Sequence, residues 1–76
     1  MSWNYRIIKH DKDAEVWYGL HEVYYDDKDN VDTWTEDPVD FSCYEDEGES
    51  GIVKGLAMAL SDALLLPALK ESELLK

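Results

Sequence analysis

The side chains of this chain that could do chemistry are two histidines, one cysteine and a large number of carboxylates. His21 and Glu22 are adjacent, and an imidazole beside a carboxylate is the pairing that general acid–base catalysis uses. Both residues fall in a stretch typical of a β-strand, where neighbouring side chains point to opposite faces of the sheet. We therefore expect the two groups to be separated, and His21 to be a half-buried histidine bonded to a side chain of a neighbouring strand.

Binding of a soft metal ion is a second chemistry to consider, because His10, His21 and Cys43 could converge in three dimensions. Their spacing matches none of the compact zinc patterns, in which the ligands occur in close pairs. A small metal-dependent enzyme stays an alternative that this spacing does not favour. The sequence predicts no metal site and no cofactor.

The acids after the first strand match part of the ligand spacing of a calcium-binding loop. Val16, however, stands where the sharp turn of that loop requires glycine, and the residues after it favour a strand. Weak and nonspecific cation binding is therefore the expectation for these acids, which are Asp11, Asp13, Glu15 and Glu22.

The remaining enzyme signatures are missing from the sequence. Cys43 is flanked by Asp40, Glu45 and Asp46, whose negative charges disfavour a thiolate nucleophile. The chain contains no phosphate-binding glycine loop, no serine-centred elbow and no paired-cysteine redox motif. We expect a protein without enzymatic activity, and a single cysteine allows no intrachain disulfide.

The charge of the chain is strongly negative and unevenly distributed. The net charge is −11 over 76 residues, and residues 11–49 carry fifteen acids against two lysines. Such a field repels nucleic acids and anionic membranes and attracts proteins with basic surfaces. The expected partner is therefore a basic protein, with no direct binding of nucleic acid or membrane.

Length and composition predict one folded domain spanning residues 1–76. Apolar residues make up 45% of the chain and aromatic residues 12%, which is more than a disordered acidic chain contains. The most apolar stretch, residues 55–69, is interrupted by Asp62 and Pro67 and is shorter than the roughly 20 residues of a membrane-spanning helix. The N-terminus lacks a signal-peptide pattern, so we expect a cytoplasmic protein.

The first half of the chain predicts three strands. Residues 3–10 alternate large apolar and polar side chains, residues 15–26 are rich in Val, Trp and Tyr, and residues 31–36 pair β-branched with aromatic side chains. Polar turn-forming residues separate the three segments. Pro38 holds Asp37 in an extended conformation and predicts the end of the third strand.

The second half predicts an amphipathic helix. It begins near Ser50, a residue suited to the N-cap, and stops or kinks near Leu66 because Pro67 cannot continue it. Lys54 and Asp62 lie outside the apolar stripe, and the tail from Ala68 onward is expected to add one short turn. Apolar residues recur every three or four positions at Ile52, Leu56, Ala59, Leu60, Ala63 and Leu64.

These elements predict an α+β fold, a three-stranded antiparallel sheet with one C-terminal amphipathic helix packed on one face (βββα). One helix of about 15 residues is roughly 23 Å long and covers only one face of such a sheet. The second strand has bulky side chains on both faces, so some aromatic residues must stay exposed and form a contact surface. The sequence leaves open which face of this strand meets the helix.

Four segments in this order resemble a group of short, uncharacterised bacterial and phage proteins. They are Trp3-Asn-Tyr-Arg-Ile-Ile-Lys-His10, Leu20-His-Glu-Val-Tyr-Tyr-Asp26, Thr35-Glu-Asp-Pro38, and the helix that contains Ala59-Leu-Ser-Asp-Ala63 and Pro67. The resemblance implies a βββα-type domain in a phage or mobile-element context, and it implies no activity for any residue. The chain departs from that group in its acidic segment, residues 36–49.

The leading hypothesis is a small acidic protein-binding module, phage-encoded, that inhibits a nucleic-acid-binding defence system of its host by charge mimicry, as anti-CRISPR proteins do. The main alternative is a structural subunit that forms a homodimer through its exposed sheet face or an edge strand. Aromatic residues predicted to anchor the partner are Trp17, Tyr25 and Trp34. Acids predicted to steer it are Asp26, Asp27, Asp29, Asp32, Glu36, Asp37, Glu45, Asp46, Glu47 and Glu49.

Overall fold

A long antiparallel hairpin forms the centre of the fold. The structure is a computed structural model that describes residues 2–42 and 45–74. The two long strands pair over their full length, from Ser2 opposite Tyr25 to His10 opposite Trp17. The elements, in chain order, are β1 (Ser2–His10), β2 (Trp17–Tyr25), β3 (Val31–Trp34), α1 (Gly48–Leu65), β4 (Leu69–Lys70) and α2 (Glu71–Leu74).

The sheet is mixed and has the strand order β3-β2-β1-β4. β3 continues the antiparallel pairing of β2, with an irregularity in register at Tyr24 and Tyr25, whereas β4 runs parallel to β1. Asp26 shapes the turn between β2 and β3, because its Oδ1 accepts hydrogen bonds from the backbone N–H groups of Lys28 and Asn30. Asp29 in this turn adopts the left-handed conformation, with φ at 63°.

The α+β class is confirmed, but the predicted architecture is incomplete. The sheet has a fourth strand that was not predicted, whereas the short turn expected after Ala68 is present as α2. Leu66 is extended because Pro67 follows it, which ends α1 and turns the chain back along β1. There β4 pairs with Ile8 and Lys9, whose backbone groups would otherwise lie on an unpaired sheet edge.

The apolar stripe predicted for the helix is split between two faces, and this part of the prediction is wrong. Ala59 is buried, but Leu60 and Leu64 are 61% and 76% exposed. Asp62, predicted to lie outside the packed stripe, faces the sheet, where its Oδ2 accepts a hydrogen bond from the backbone N–H of Tyr5 at 3.0 Å. The helix also begins at Gly48, and Ser50 is not its N-cap but donates from Oγ to the carbonyl of Glu47.

The core of the described residues is small. Its buried apolar side chains are Tyr5, Ile8, Val23 and Ala59. The accessible surface is 5773 Å², whereas a monomeric protein of this mass exposes about 4,800 Å². The radius of gyration is 13.5 Å, against about 11.4 Å for a compact domain of this length. The fold therefore leaves more surface uncovered than its size requires.

Neither helix of the described ranges is long and apolar enough to cross a membrane.

Candidate functional site

Two buried histidines meet on one face of the central hairpin. His10 Nε2 on β1 lies 2.9 Å from His21 Nε2 on β2, and each ring uses its other nitrogen to reach a different element. His10 Nδ1 lies 3.0 Å from Oε2 of Glu71 in α2. His21 Nδ1 lies 2.9 Å from the carbonyl oxygen of Thr35, just after β3. The four groups form one hydrogen-bonded chain that links β1, β2, the end of β3 and α2.

The partners of this chain determine where its protons lie. The carboxylate of Glu71 accepts, so a proton on His10 Nδ1 is donated to it. His21 Nδ1 lies near both the carbonyl oxygen of Thr35, which accepts, and the Thr35 hydroxyl at 3.3 Å, which can donate or accept. The contact between the two Nε2 atoms is a hydrogen bond when one of them carries a proton.

His21 lies in the most enclosed part of this chain. Its exposed fraction is 0%, and burial lowers the pKa of its imidazole, opposed by the hydrogen bond to Thr35. His10 lowers this pKa further, whereas the carboxylates of Glu71 and Asp37 raise it. Burial is the largest of these effects, so the protein favours the neutral form of His21.

Trp17 and Gly19 enclose the histidine pair. The indole of Trp17 stacks on the His10 ring with 3.9 Å between centroids and 13° between planes. A Cβ at Gly19 would lie 2.9 Å from His21 Nε2 and 3.0 Å from Cζ3 of Trp17, closer than side-chain carbons approach other atoms. The position must therefore be glycine for the indole and the two imidazoles to pack together.

The structure separates His21 from Glu22, as the strand geometry predicts. Glu22 accepts a hydrogen bond from the Tyr24 hydroxyl through Oε1, while His21 bonds to His10 and Thr35. His21 is fully rather than half buried. Since both of its ring nitrogens are occupied within the protein, this histidine has no nitrogen directed at a substrate.

The possible metal ligands are brought together only in part. His10 and His21 converge, and Cys43 lies outside the described residues. Across residues 2–42 and 45–74, no three His, Cys, Asp or Glu side chains are arranged to hold a metal ion.

The outer face of α1 presents an apolar surface without a partner. Val53, Leu56, Ala57, Leu60 and Leu64 are all exposed. Their spacing of three and four places them on one side of the helix, away from Ala59. We call these five residues the outer stripe. An apolar stripe of this kind on a helix normally packs against another element.

The predicted steering acids are mostly accessible. In the described residues none of them forms an ion pair with a lysine or arginine. Asp26 is half-buried and serves the β2–β3 turn. The exposed acids are Asp27, Asp29, Asp32, Glu36, Asp37, Glu45, Asp46, Glu47 and Glu49. The last four immediately precede or begin α1, so they lie at the N-terminal end of the outer stripe.

The three predicted aromatic anchors have different surroundings. Trp17 is 44% exposed while one side of its indole covers His10. Tyr25 is half-buried, and its hydroxyl accepts from Arg6 and donates to Asn4 at 2.8 Å. Trp34 is also half-buried. Trp17 is therefore the member of this set with the most accessible ring.

A cleft of about 300 Å³ lies between the hairpin and the start of α1. Tyr5 and Glu22, which lie opposite each other in the register, contribute to it from one face of the hairpin. Glu22, Asp40 and Glu47 give the cleft three carboxylates beside its aromatic and aliphatic walls. Its other lining residues are Val39, Phe41, Ser42, Gly51, Ile52 and Gly55.

Sequence reasoning missed Glu71 as the partner of His10. Sixty-one positions separate the two residues, and the residues around Glu71 match no recognisable motif. The available signal was that the two histidines lie on two strands joined by a short turn. The register places His10 opposite Trp17 and His21 opposite Arg6, so both histidines lie on the same face of the hairpin.

The chain matches no protein-family model, no curated protein and no solved structure.

Proposed function

We propose that this protein is a non-enzymatic module that binds a basic protein partner through the outer stripe of α1 and the acids at the start of that helix. The observation that carries the proposal is the exposure of Leu60 and Leu64 on a helix of 18 residues in which only Ala59 is buried. Large apolar side chains in one row on a small protein mark contact surfaces.

The area of the molecule supports the same proposal. The chain exposes about 1,000 Å² more than a monomer of its mass, the difference between 5773 Å² and about 4,800 Å². One partner in a standard protein–protein complex buries roughly 800 Å². The excess surface is thus enough for one such interface.

Charge selects a basic protein as the occupant. The chain carries −11, so two copies repel each other, and the nine exposed steering acids include none that is paired. Glu45, Asp46, Glu47 and Glu49 place negative charge at the N-terminal end of the helix that carries the outer stripe. A partner with an apolar groove flanked by lysine or arginine at one end matches this arrangement.

A narrower form of this proposal is that the protein inhibits a partner that binds nucleic acid. A basic groove that binds nucleic acid would be blocked by the same acids, and a phage-encoded inhibitor of a defence nuclease is one protein of this kind. This form is supported only by the negative charge and small size of the chain, and by the sequence resemblance, itself a prediction, to a group of short bacterial and phage proteins.

Capture of a partner from bacterial lysate with variants of the tagged chain tests the proposal. Leu60→Gln with Leu64→Gln removes the apolar contact, and Glu45→Lys with Asp46→Lys and Glu47→Lys reverses the charge. Ser61→Gln, exposed on the same helix outside the stripe, is the matched control. We expect one protein to be captured by the wild type and the control, released by salt, and lost from both test variants.

Capture of the same proteins by the wild type, the control and both test variants would contradict the proposal. Sedimentation of the purified protein separates it from the homodimer alternative. A stable dimer that becomes a monomer in the double glutamine variant, and that tightens with salt, would identify a second copy as the occupant of the outer stripe. Trp3 and Tyr18, both exposed on the sheet, are the corresponding residues to vary for dimerisation through the sheet.

A further inference from the structure

The cleft between the hairpin and the start of α1 contains a buried hydroxyl that has no partner among the described residues. Tyr5 is only 8% exposed, and it lines this cleft of about 300 Å³. Its ring packs against Trp3 and Phe41, but its hydroxyl forms no hydrogen bond within residues 2–42 and 45–74. Buried polar groups normally have a partner, so the cleft favours a ligand that can form a hydrogen bond with this hydroxyl.

Three carboxylates line the same cleft and are free to bind a cation. Glu22 lies on β2, Asp40 follows β3, and Glu47 directly precedes α1. In the described part of the chain none of the three forms an ion pair with lysine or arginine, and Glu22 accepts only from Tyr24, through Oε1. Burial raises the pKa of Tyr5 and the charge of Glu22 raises it further, so this carboxylate lies near the hydroxyl.

The charges of the cleft select a cation over an anion. The N-terminus of α1, which begins at Gly48, carries about half a positive charge, whereas the three carboxylates carry three full negative charges. The −11 charge of the chain acts in the same direction.

The walls of the cleft select an organic cation over a metal ion. Among the described residues no three acidic, histidine or cysteine side chains are arranged to hold a metal ion, so the three carboxylates do not converge on one point. Phe41 and Ile52 give the cleft an apolar wall, which suits an aliphatic stem. Gly55 leaves room for Phe41, because a Cβ there would lie 3.3 Å from its ring.

We propose that this cleft is a binding site for an organic cation, an ammonium or guanidinium group on an aliphatic stem. The N–H groups of the cation donate to the Tyr5 hydroxyl and to the carboxylates, and the stem packs against Phe41. A lysine or arginine side chain of a protein and a free diamine share this chemistry. The site does not rest on the outer stripe of α1, since it lies on other residues and binds its ligand without a partner protein.

Titration of the purified full chain with n-butylguanidinium near neutral pH, followed by ¹³C NMR of the aromatic rings, tests the site. n-Butylurea has nearly the same shape without the charge and is the matched ligand, with sodium chloride keeping the ionic strength constant. Phe41 is the one phenylalanine of the chain, so its ring signals need no further assignment. We expect saturable shifts of Phe41 and Tyr5 with the cation, and a Kd at least about tenfold larger for the urea.

Variants locate the site within the molecule. Glu22→Gln should raise the Kd of n-butylguanidinium about tenfold, because it removes a charged acceptor. Tyr5→Phe keeps the ring and should raise the Kd by a smaller factor. Glu36→Gln makes the same change of charge at an exposed position outside the cleft, and it should leave the Kd within about twofold.

The variant with Leu60→Gln and Leu64→Gln separates this site from the proposed function. It should bind n-butylguanidinium as the wild type does, because neither leucine lines the cleft. Loss of partner capture with unchanged cation binding in this variant would show two independent surfaces.

Two further probes distinguish the sources of the cation. Tighter binding of the N-methylamide of acetylarginine than of putrescine would assign the cleft to a side chain of a protein. Tighter binding of putrescine would assign it to a free diamine.

Four results would overturn the proposal. The first is the absence of saturable shifts of Phe41 and Tyr5 with every cationic probe. The second is binding of n-butylurea as tight as that of n-butylguanidinium, and the third is an equal effect of Glu22→Gln and Glu36→Gln. The fourth is displacement of the organic cation by an equal concentration of Ca²⁺, which would make the cleft a metal site.

Discussion

His10 Nε2 and His21 Nε2 lie 2.9 Å apart in the interior of this protein, although burial of two histidines side by side is costly. The arrangement is stable because each remaining ring nitrogen has an acceptor, the carboxylate of Glu71 or the carbonyl of Thr35. The pair therefore links four elements through hydrogen bonds. Its integrity depends on the space around it, and on pH because burial lowers the pKa of His21.

Gly19→Ala should destabilise the fold by about 1–3 kcal/mol, because the new methyl group would meet His21 Nε2 and the indole of Trp17. Urea unfolding of the variant and the wild type measures this change in the free energy of unfolding. Ring ¹⁵N shifts of the two histidines should change as well. A variant with wild-type stability and wild-type ring shifts would show that the position has more room than the structure indicates.

Asp62→Ala should cost about 1–3 kcal/mol, because it leaves the backbone N–H of Tyr5 without its acceptor at the edge of β1. Asp62→Asn keeps an oxygen in this position and should cost less. Asp32→Ala, exposed on β3, is the control for the loss of one acid and should leave the free energy of unfolding nearly unchanged. Equal effects of Asp62→Ala and Asp32→Ala on the urea midpoint would contradict the assigned hydrogen bond.

Asp11 should cause a separate dependence of stability on pH, in a more acidic range. Hydrogen bonds from the backbone N–H and the Oγ of Ser72 lower the pKa of Asp11 below its ordinary 3.8. Its contribution to stability is therefore present above pH 3.8 and is lost as pH falls through the lower pKa of the folded protein. Asp11→Asn should flatten the pH dependence of unfolding in this acid range. It should leave intact the loss of stability below pH 6.5 that follows from the lowered pKa of His21.

Thermal unfolding followed by circular dichroism across both pH ranges separates the two groups. Asp13→Asn, exposed in the same turn, is the matched control. Loss of the response near pH 6 in the Asp11 variant would mean that the carboxylate, and not the histidine pair, causes it.

Glu22→Gln should lower the pKa of two tyrosines at once. The hydrogen bond from Tyr24 to Glu22 raises the pKa of Tyr24, and burial, followed by the charges of Glu22 and Asp62, raises that of Tyr5. The variant should return Tyr24 toward 10.0 and Tyr5 only part of the way, because its burial remains. A ¹³C NMR titration of the tyrosine rings measures both, with Glu36→Gln as the control. An unchanged pKa of Tyr24 would exclude the bond to Glu22.

Local sequence pattern predicted the strands well because the side chains of each segment favour a strand without help from distant residues. The alternation of residues 3–10 and the β-branched and aromatic content of the next two segments correspond to β1, β2 and β3. Pro67 ended α1 as expected, since it has no N–H to donate and forces Leu66 to be extended. These signals act over a few residues, and tertiary packing did not override them.

The helix shows where local pattern fails. Apolar residues occupy more than half of the circumference of α1, so periodicity alone could not decide which side packs on the sheet. The side of α1 that packs inward carries Gly55, which lies against Phe41, the buried Ala59, and Asp62, which accepts from the Tyr5 backbone. The larger leucines were left outside, where they form the outer stripe.

The sequence by itself determined the α+β class, the positions of three strands and one helix, and the strong negative charge of the surface. Only the tertiary structure decided that β4 returns along β1 and that Glu71 reaches His10 from sixty-one positions away. The physical reason is that hydrogen bonds between distant residues depend on how elements pack. A two-residue strand and a buried chain of hydrogen-bonded side chains have no local sequence propensity, so the sequence does not predict them.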